Sequence, residues 1–171
     1  LAKSGLSVHG IDINSKRLER FQSENLYESE EDLKKDFLEC KKNGKLEISD
    51  SPNKTSSMKV GIICVPTPIP DQNTKSIIYV KSAVEDFLLS SKKGDVIILE
   101  SSIEIGTTEE IKEVIESKGY QVGKDFGLCF CPERIDPANK EWGIENIPRV
   151  IYCSDDITYE ISKKIYLNVN G

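Results

Sequence analysis

Four short segments carry the side chains of this sequence that could do chemistry together: Asp12, Val65-Pro66-Thr67-Pro68, Glu100-Ser101-Ser102 and Pro132-Glu133-Arg134-Ile135-Asp136-Pro137. Each follows directly on an apolar, β-rich run. If those runs lie parallel in one sheet, the residues after them share one edge, where ligands of such sheets bind. Acid, hydroxyl and guanidinium groups far apart in the chain then surround a single ligand.

Each residue has two readings. A carboxylate ending a strand, such as Asp12, suits the paired hydroxyls of an adenosine ribose, and it favours NAD over NADP, whose extra phosphate it repels. It could equally serve the helix that starts near Asn14. Prolines on both sides of Thr67 fix an extended turn that can present its hydroxyl without an ordering cost, or they simply end a strand rigidly. Ser101 and Ser102 suit a ligand, and they suit backbone groups near a turn as well. Glu133 and Arg134 stand side by side between prolines, either as positioned groups on a rigid loop or as a surface ion pair. The one histidine, His9, lies inside a strand with no partner for acid–base or metal chemistry, so its reading is structural.

The elements that must position these groups follow from the hydrophobic pattern. Ser7–Ile13 reads as a strand that leads into Asn14, a helix cap, and the helix buries Leu18 and Phe21. Ser29 caps a second helix with Leu33, Phe37 and Cys40 inward and Gly44 at its end, and residues 49–57 form a polar loop. Lys59–Val65 is a nearly continuous apolar run, as in a strand covered on both faces. Ile77, Val80, Val84, Phe87 and Leu88 recur at helical spacing, Gly94 breaks the pattern, and Asp95–Leu99 is the next buried strand. Thr107 with Glu110 forms a capping-box pattern for a helix that Gly119 closes. Phe126–Cys131 is a further strand, Arg149–Cys153 a last one, and Ser154 caps a helix holding Ile157, Ile161 and Ile165. The fold class is therefore α/β, Rossmann-like and doubly wound on a mainly parallel sheet.

Composition narrows the partners. With 171 residues, 37% of them hydrophobic, the chain has enough apolar surface for one domain with a core. A net charge of −6 repels a phosphate backbone, so no nucleic-acid partner is expected. No apolar run approaches the ~20 residues that cross a bilayer, so no membrane partner and a cytoplasmic location are expected. The five cysteines are an odd number without a CxxC pair, which suggests neither a disulfide frame nor a metal site. Cys129 and Cys131 alternate along a strand and point to one face as small packing residues.

Taken in order, Gly10–Asn14, Cys64–Ile69, Glu100–Thr108 and Cys131–Pro137 resemble the UDP-glucose/GDP-mannose dehydrogenase family over nearly the whole chain. Within that family the chain is most similar to the acetamido-sugar branch. There a Pro-Glu-Arg-apolar segment is followed by proline, whereas UDP-glucose dehydrogenases carry a second glutamate at the position of Pro137. The resemblance implies oxidation of the C6 alcohol of a UDP-N-acetylhexosamine, UDP-N-acetyl-D-mannosamine first, to the uronate with two NAD.

By the same resemblance Asp12 and Arg17 hold the adenosine end of NAD, and Val65, Thr67 and Ser102 line the cofactor, Ser102 standing where threonine is usual. Glu133 is the catalytic acid, orienting water or assisting proton transfer. Arg134 and Ile135 contact the substrate, a UDP-sugar. Tyr152-Cys153 departs from a pair of glycines frequent in the family. The resemblance further implies that residues 1–171 are a partial NAD-binding domain. Its first strand and glycine-rich loop, and the helical dimerisation and UDP-binding domains, are expected to be missing. A chain of this kind is expected to be inactive alone, to form a homo-oligomer in its parent, and to re-pair, exchange or associate around the missing strand. Two other readings stay open: a non-catalytic nucleotide-binding or assembly module, and another α/β oxidoreductase such as a β-hydroxyacid dehydrogenase.

Overall fold

The computed structural model describes residues 1–23, 31–51, 60–68, 77–136, 141–143 and 146–168. It divides into two compact units, Leu1–Thr55 and Ser56–Gly171.

In the first unit, β1 (Val8–Ile11) pairs in parallel with β2 (Leu46–Ser49), Val8 opposite Leu46. Between them run α1 (Ser15–Gln22) and α2 (Glu31–Lys42). Asn14 caps α1 as its sequence suggests, its side chain accepting from the Arg17 amide. Phe21 and Phe37 stack with ring centroids 5.6 Å apart, joining the two helices. His9 is structural: its Nε2 lies 2.7 Å from Ser49 Oγ.

The structure of this unit departs from the sequence reading at one strand and one side chain. Strand β2 was not anticipated, although Leu46-Glu47-Ile48 alternates directly after the Gly44 turn. Leu33 is exposed, because α2 buries Cys40 instead. Leu1–Gly5 forms turns, with the Ser4 and Gly5 amides donating to Leu1 and Ala2 carbonyls three residues back. The expected cap Ser29 lies outside the described residues.

The second unit is a three-layer sandwich. β3 (Val60–Ile63), β4 (Val96–Leu99) and β5 (Gly127–Phe130) are parallel neighbours, and β6 (Tyr152–Cys153) closes the order antiparallel to β5. Side chains alternate across β4 and β5 with period two. Ile97, Leu99 and Leu128 join one core with α3 (Ile77–Ser90) and α4 (Thr107–Ser117). Val96, Ile98, Cys129 and Cys131 join the other with α5 (Asp156–Leu167), which supplies Tyr166. Burial on both faces stabilises each of Ile97, Ile98 and Leu99 by about 1.5–3 kcal/mol, and it explains why these strands read as unbroken apolar runs.

The single expected sheet is thus found as two among the described residues, β1-β2 and β3-β4-β5-β6. Among the described residues, β1 and β3 each have a hydrogen-bonded strand on one side only.

Two expected caps are corrected. The α4 cap is Gly106, whose φ of 93° is a conformation side chains disfavour, and no side chain caps that helix. The capping box does not form, because the Glu110 carboxylate takes Lys81 of α3 at 2.9 Å. The α5 cap is Asp155, not Ser154. Ser154 Oγ is already committed, accepting the Leu128 amide at 3.1 Å and donating to Asp155 Oδ2 at 2.8 Å. Ile157, expected inward, is exposed, while Thr158 and Ser162 of the same helix are buried. The last strand is also shorter than Arg149–Cys153.

Candidate functional site

The carboxyl ends of β3, β4 and β5 lie on one edge because the three strands are parallel and in register, Ile63 beside Leu99 and Leu99 beside Phe130. Hydrogen bonds tie the tips together beyond the ladder. The Glu100 and Ser101 amides both donate to the Ile63 carbonyl, at 2.9 and 3.1 Å, and the Glu133 amide donates to the Glu100 carbonyl at 3.1 Å. Ser101 Oγ donates to the Val65 carbonyl at 2.7 Å. Ser101 is therefore the structural serine of the pair, and it fixes the backbone that presents Val65 and Thr67, both half-buried. Ser102 next to it is exposed on the same edge.

Glu133 turns its carboxylate back on its own loop, Oε1 accepting the amides of Arg134 at 2.6 Å and Ile135 at 2.9 Å. Its other oxygen lies 3.6 Å from Nη2 of Arg149. Arg149 is a half-buried residue with only 8% of its side chain exposed, and its Nη1 donates to Glu100 Oε1 at 3.0 Å. The guanidinium also sits over the ring of Tyr166, 4.6 Å from its centre. Burial works against the charge on Arg149, but Glu100 and Glu133 outweigh it and hold its pKa above the ordinary value. Burial, then the negative charge of Glu100, push the Tyr166 hydroxyl up.

Cys64 completes the cluster. Its thiol donates to Glu100 Oε2 at 3.2 Å. Cys64 is exposed, yet partial desolvation of its sulfur by the surrounding atoms and the adjoining Glu100 charge push its pKa up to about 12. Such a thiol stays protonated at neutral pH and is no nucleophile. Cys129 and Cys131 are fully buried on one face, as expected, and burial raises both thiols.

Arg134 and Ile135 follow on the same loop. Arg134 is exposed, its Nη1 reaching the Pro148 carbonyl at 3.4 Å, and it lines a cavity of about 320 Å³ with Asp136, Trp142, Ile147 and Pro148. Ile135 is half-buried. Pro137, the residue that separates the two substrate branches by sequence, lies outside the described residues.

Asp12 and Arg17 belong to the first unit and meet each other there. Asp12 directly follows β1, Oδ1 accepting the Asn14 amide at 2.9 Å and Oδ2 taking Arg17 Nη1 at 2.6 Å. The helix cap is Asn14, so Asp12 shapes the turn before the helix without capping it.

Sequence reasoning located Thr67, Glu100, Ser102 and Glu133 on the edge but missed that Arg149 and Cys64 join them through Glu100. The available signal was a charged residue at the very end of an apolar strand, Glu100, which must find a counter-charge if buried.

The model of the NAD binding domain of the UDP-glucose/GDP-mannose dehydrogenase family matches residues 1–170. The chain belongs to this family. Among its relatives is a UDP-N-acetyl-D-mannosamine dehydrogenase of Methanocaldococcus jannaschii, 31% identical over 169 residues, which cover 97% of this chain and 38% of that protein. A UDP-N-acetyl-D-glucosamine 6-dehydrogenase of Pseudomonas aeruginosa is 28% identical, covering 95% of this chain and 38% of that protein. The solved UDP-N-acetyl-mannosamine dehydrogenase Cap5O of Staphylococcus aureus superposes with a TM-score of 0.86 at 33% identity, over 98% of this chain and 40% of that one. The chain thus spans about two fifths of the length of these dehydrogenases.

NAD is the cofactor of this family's domain, and the geometry at Asp12 fits it. Each oxygen of a carboxylate has two acceptor sites, so the bonds to Asn14 and Arg17 leave capacity for two ribose hydroxyls, and 23% of the Asp12 side chain is open to solvent. Among the described residues no helix is long and apolar enough to cross a membrane, and no cluster of three or more metal-ligating side chains occurs.

Proposed function

We propose that this chain is part of the NAD-binding domain of a nucleotide-sugar 6-dehydrogenase, one that oxidises the C6 alcohol of a UDP-N-acetylhexosamine, UDP-N-acetyl-D-mannosamine first, to the uronate. The observation that carries the reading is the Pro132-Glu133-Arg134-Ile135 loop, its acid clamped at the tip of β5 beside an exposed guanidinium that lines a cavity. The names of the relatives support the acetamido sugar.

Bound NAD supplies a hydride acceptor, and two are consumed per sugar because alcohol-to-acid oxidation removes four electrons. Asp12 and Arg17 hold the adenosine ribose, and Val65, Thr67 and Ser102 line the cofactor along the strand tips. Arg134 and Ile135 contact the sugar nucleotide. Glu133 orients water or assists proton transfer, which needs hydrogen-bond reach to the reacting centre and a fixed direction. Its loop amides hold one of the two carboxylate oxygens, Oε1. The helical dimerisation and UDP-binding domains belong, on this reading, to the rest of a cytoplasmic homo-oligomer that serves polysaccharide synthesis.

The test is turnover by the full-length protein with NAD and a panel of UDP-sugars. Two NADH per UDP-N-acetyl-D-mannosamine, with UDP-glucose unused, supports the reading. No turnover with any UDP-sugar rejects it.

A further inference from the structure

The acid that the proposed reaction uses is held by more than its own loop. Glu100 directly follows β4, Glu133 follows β5, and both carboxylates face one guanidinium, Arg149, at 3.0 and 3.6 Å through different nitrogens. Arg149 comes from the segment before β6, and its planar group rests on Tyr166 of α5. Residues from three other places in the chain thus converge on a single guanidinium.

The geometry explains why an arginine stands here. A guanidinium presents several N–H groups in a fixed fork, so it can hold two carboxylates in two set directions at once, which an ammonium on a flexible stem cannot. Glu100 and Tyr166 fix the fork in place: Glu100 takes one nitrogen and is itself tied by its amide to the Ile63 carbonyl, while the ring supports the flat face. The remaining end points at Glu133 Oε2. Since Oε1 is occupied by two amides, Oε2 is the oxygen left to act, and Arg149 is the only cation within ion-pair distance of it among the described residues.

We infer that Arg149, anchored by Glu100, is a positioning residue that sets the direction in which Glu133 presents its free carboxylate oxygen to the substrate. This rests on the role proposed above for Glu133. It adds that two residues outside the ligand-lining set, Arg149 and Glu100, govern the chemical step without touching NAD or the sugar.

The experiment is steady-state kinetics on the full-length dehydrogenase carrying Arg149→Lys, with rates normalised to NAD-binding sites titrated in the same preparation. Lysine keeps the charge and loses the fork. The expected result is a fall in kcat of roughly 10- to 100-fold, the scale of a misplaced catalytic group, with KM for NAD and for the UDP-sugar changed less than about threefold. Glu100→Gln, which removes the anchor and keeps the shape, is expected to lower kcat in the same way. A kcat within about twofold of wild type in Arg149→Lys, or a loss confined to KM, overturns the assignment. So does failure of both variants to fold, which makes the pair purely structural. A wild-type protein that turns over no UDP-sugar overturns the functional reading, and this assignment with it.

Discussion

The Glu133 amide donates to the Glu100 carbonyl at 3.1 Å, so the loop after β5 hangs from the tip of β4 beyond the last rung of the sheet. Two residues 33 positions apart therefore move together, and the placement of Glu133 depends on the strand beside its own. Replacing Glu133 by Gln in the full-length dehydrogenase is expected to keep that backbone bond and lower kcat by about 10²–10⁴-fold, the usual contribution of a general acid or base. NAD affinity, read by calorimetry, is expected to stay within about threefold.

Asp12 offers the opposite separation. Asp12→Ala is expected to weaken NAD binding by roughly 10- to 100-fold, since hydrogen bonds to a charged group contribute about 1.5–3 kcal/mol. UDP-sugar binding is expected to be unaffected. Calorimetric titration of each ligand checks both statements, and equal losses for the two would show that the variant had disturbed the fold and not the ribose contact.

Gly127 opens β5 against α5, and a Cβ there would strike Thr158 Oγ1 and come within 3.0 Å of Val96 Cγ2. Gly127→Ala is expected to destabilise the protein by about 1–3 kcal/mol, the cost of forcing a methyl into a packed core. Urea unfolding gives the value. An unchanged midpoint would mean that α5 can slide on the sheet.

Asp155 gives a pH-dependent prediction. Burial alone would raise its carboxyl, but hydrogen bonds from the Thr158 hydroxyl and amide and the Ser154 hydroxyl outweigh that and lower its pKa. A carboxyl lowered on folding adds stability above its unfolded pKa, and that contribution disappears as pH falls through the folded value. Asp155→Ala is therefore expected to cost about 1–2 kcal/mol near neutral pH, as for a lost helix cap, and progressively less in acid. Thermal melts of both proteins across that range test it.

How much of this was legible in the sequence depended on whether a feature was local. The runs 60–63, 96–99 and 127–130 announce themselves because both of their faces are covered, and the residues that follow them could be read as one edge. The caps were misassigned where a distant group intervened: Lys81 draws Glu110 out of its capping box, and the Leu128 amide occupies Ser154. Leu33 and Ile157 fit their helical stripes yet face solvent, since periodicity does not say which neighbour a helix has. Arg149 was hidden for the same reason. It finds Glu100 across 49 residues, and nothing in its immediate surroundings separates it from an ordinary strand residue. The ion pair of Asp12 with Arg17 is local, five residues apart, but it was not read from the sequence, which assigned both side chains to the cofactor.

All four residues of β4 are buried, and the strand is flanked by β3 on one side and β5 on the other. Amide protons at Ile97 and Ile98 are therefore expected to trade with heavy water most slowly, by openings that approach unfolding of the unit of residues 56–171 as a whole. Those two amides make β4 a built-in gauge of that unit's opening free energy, one that can be read without denaturant, ligand or turnover.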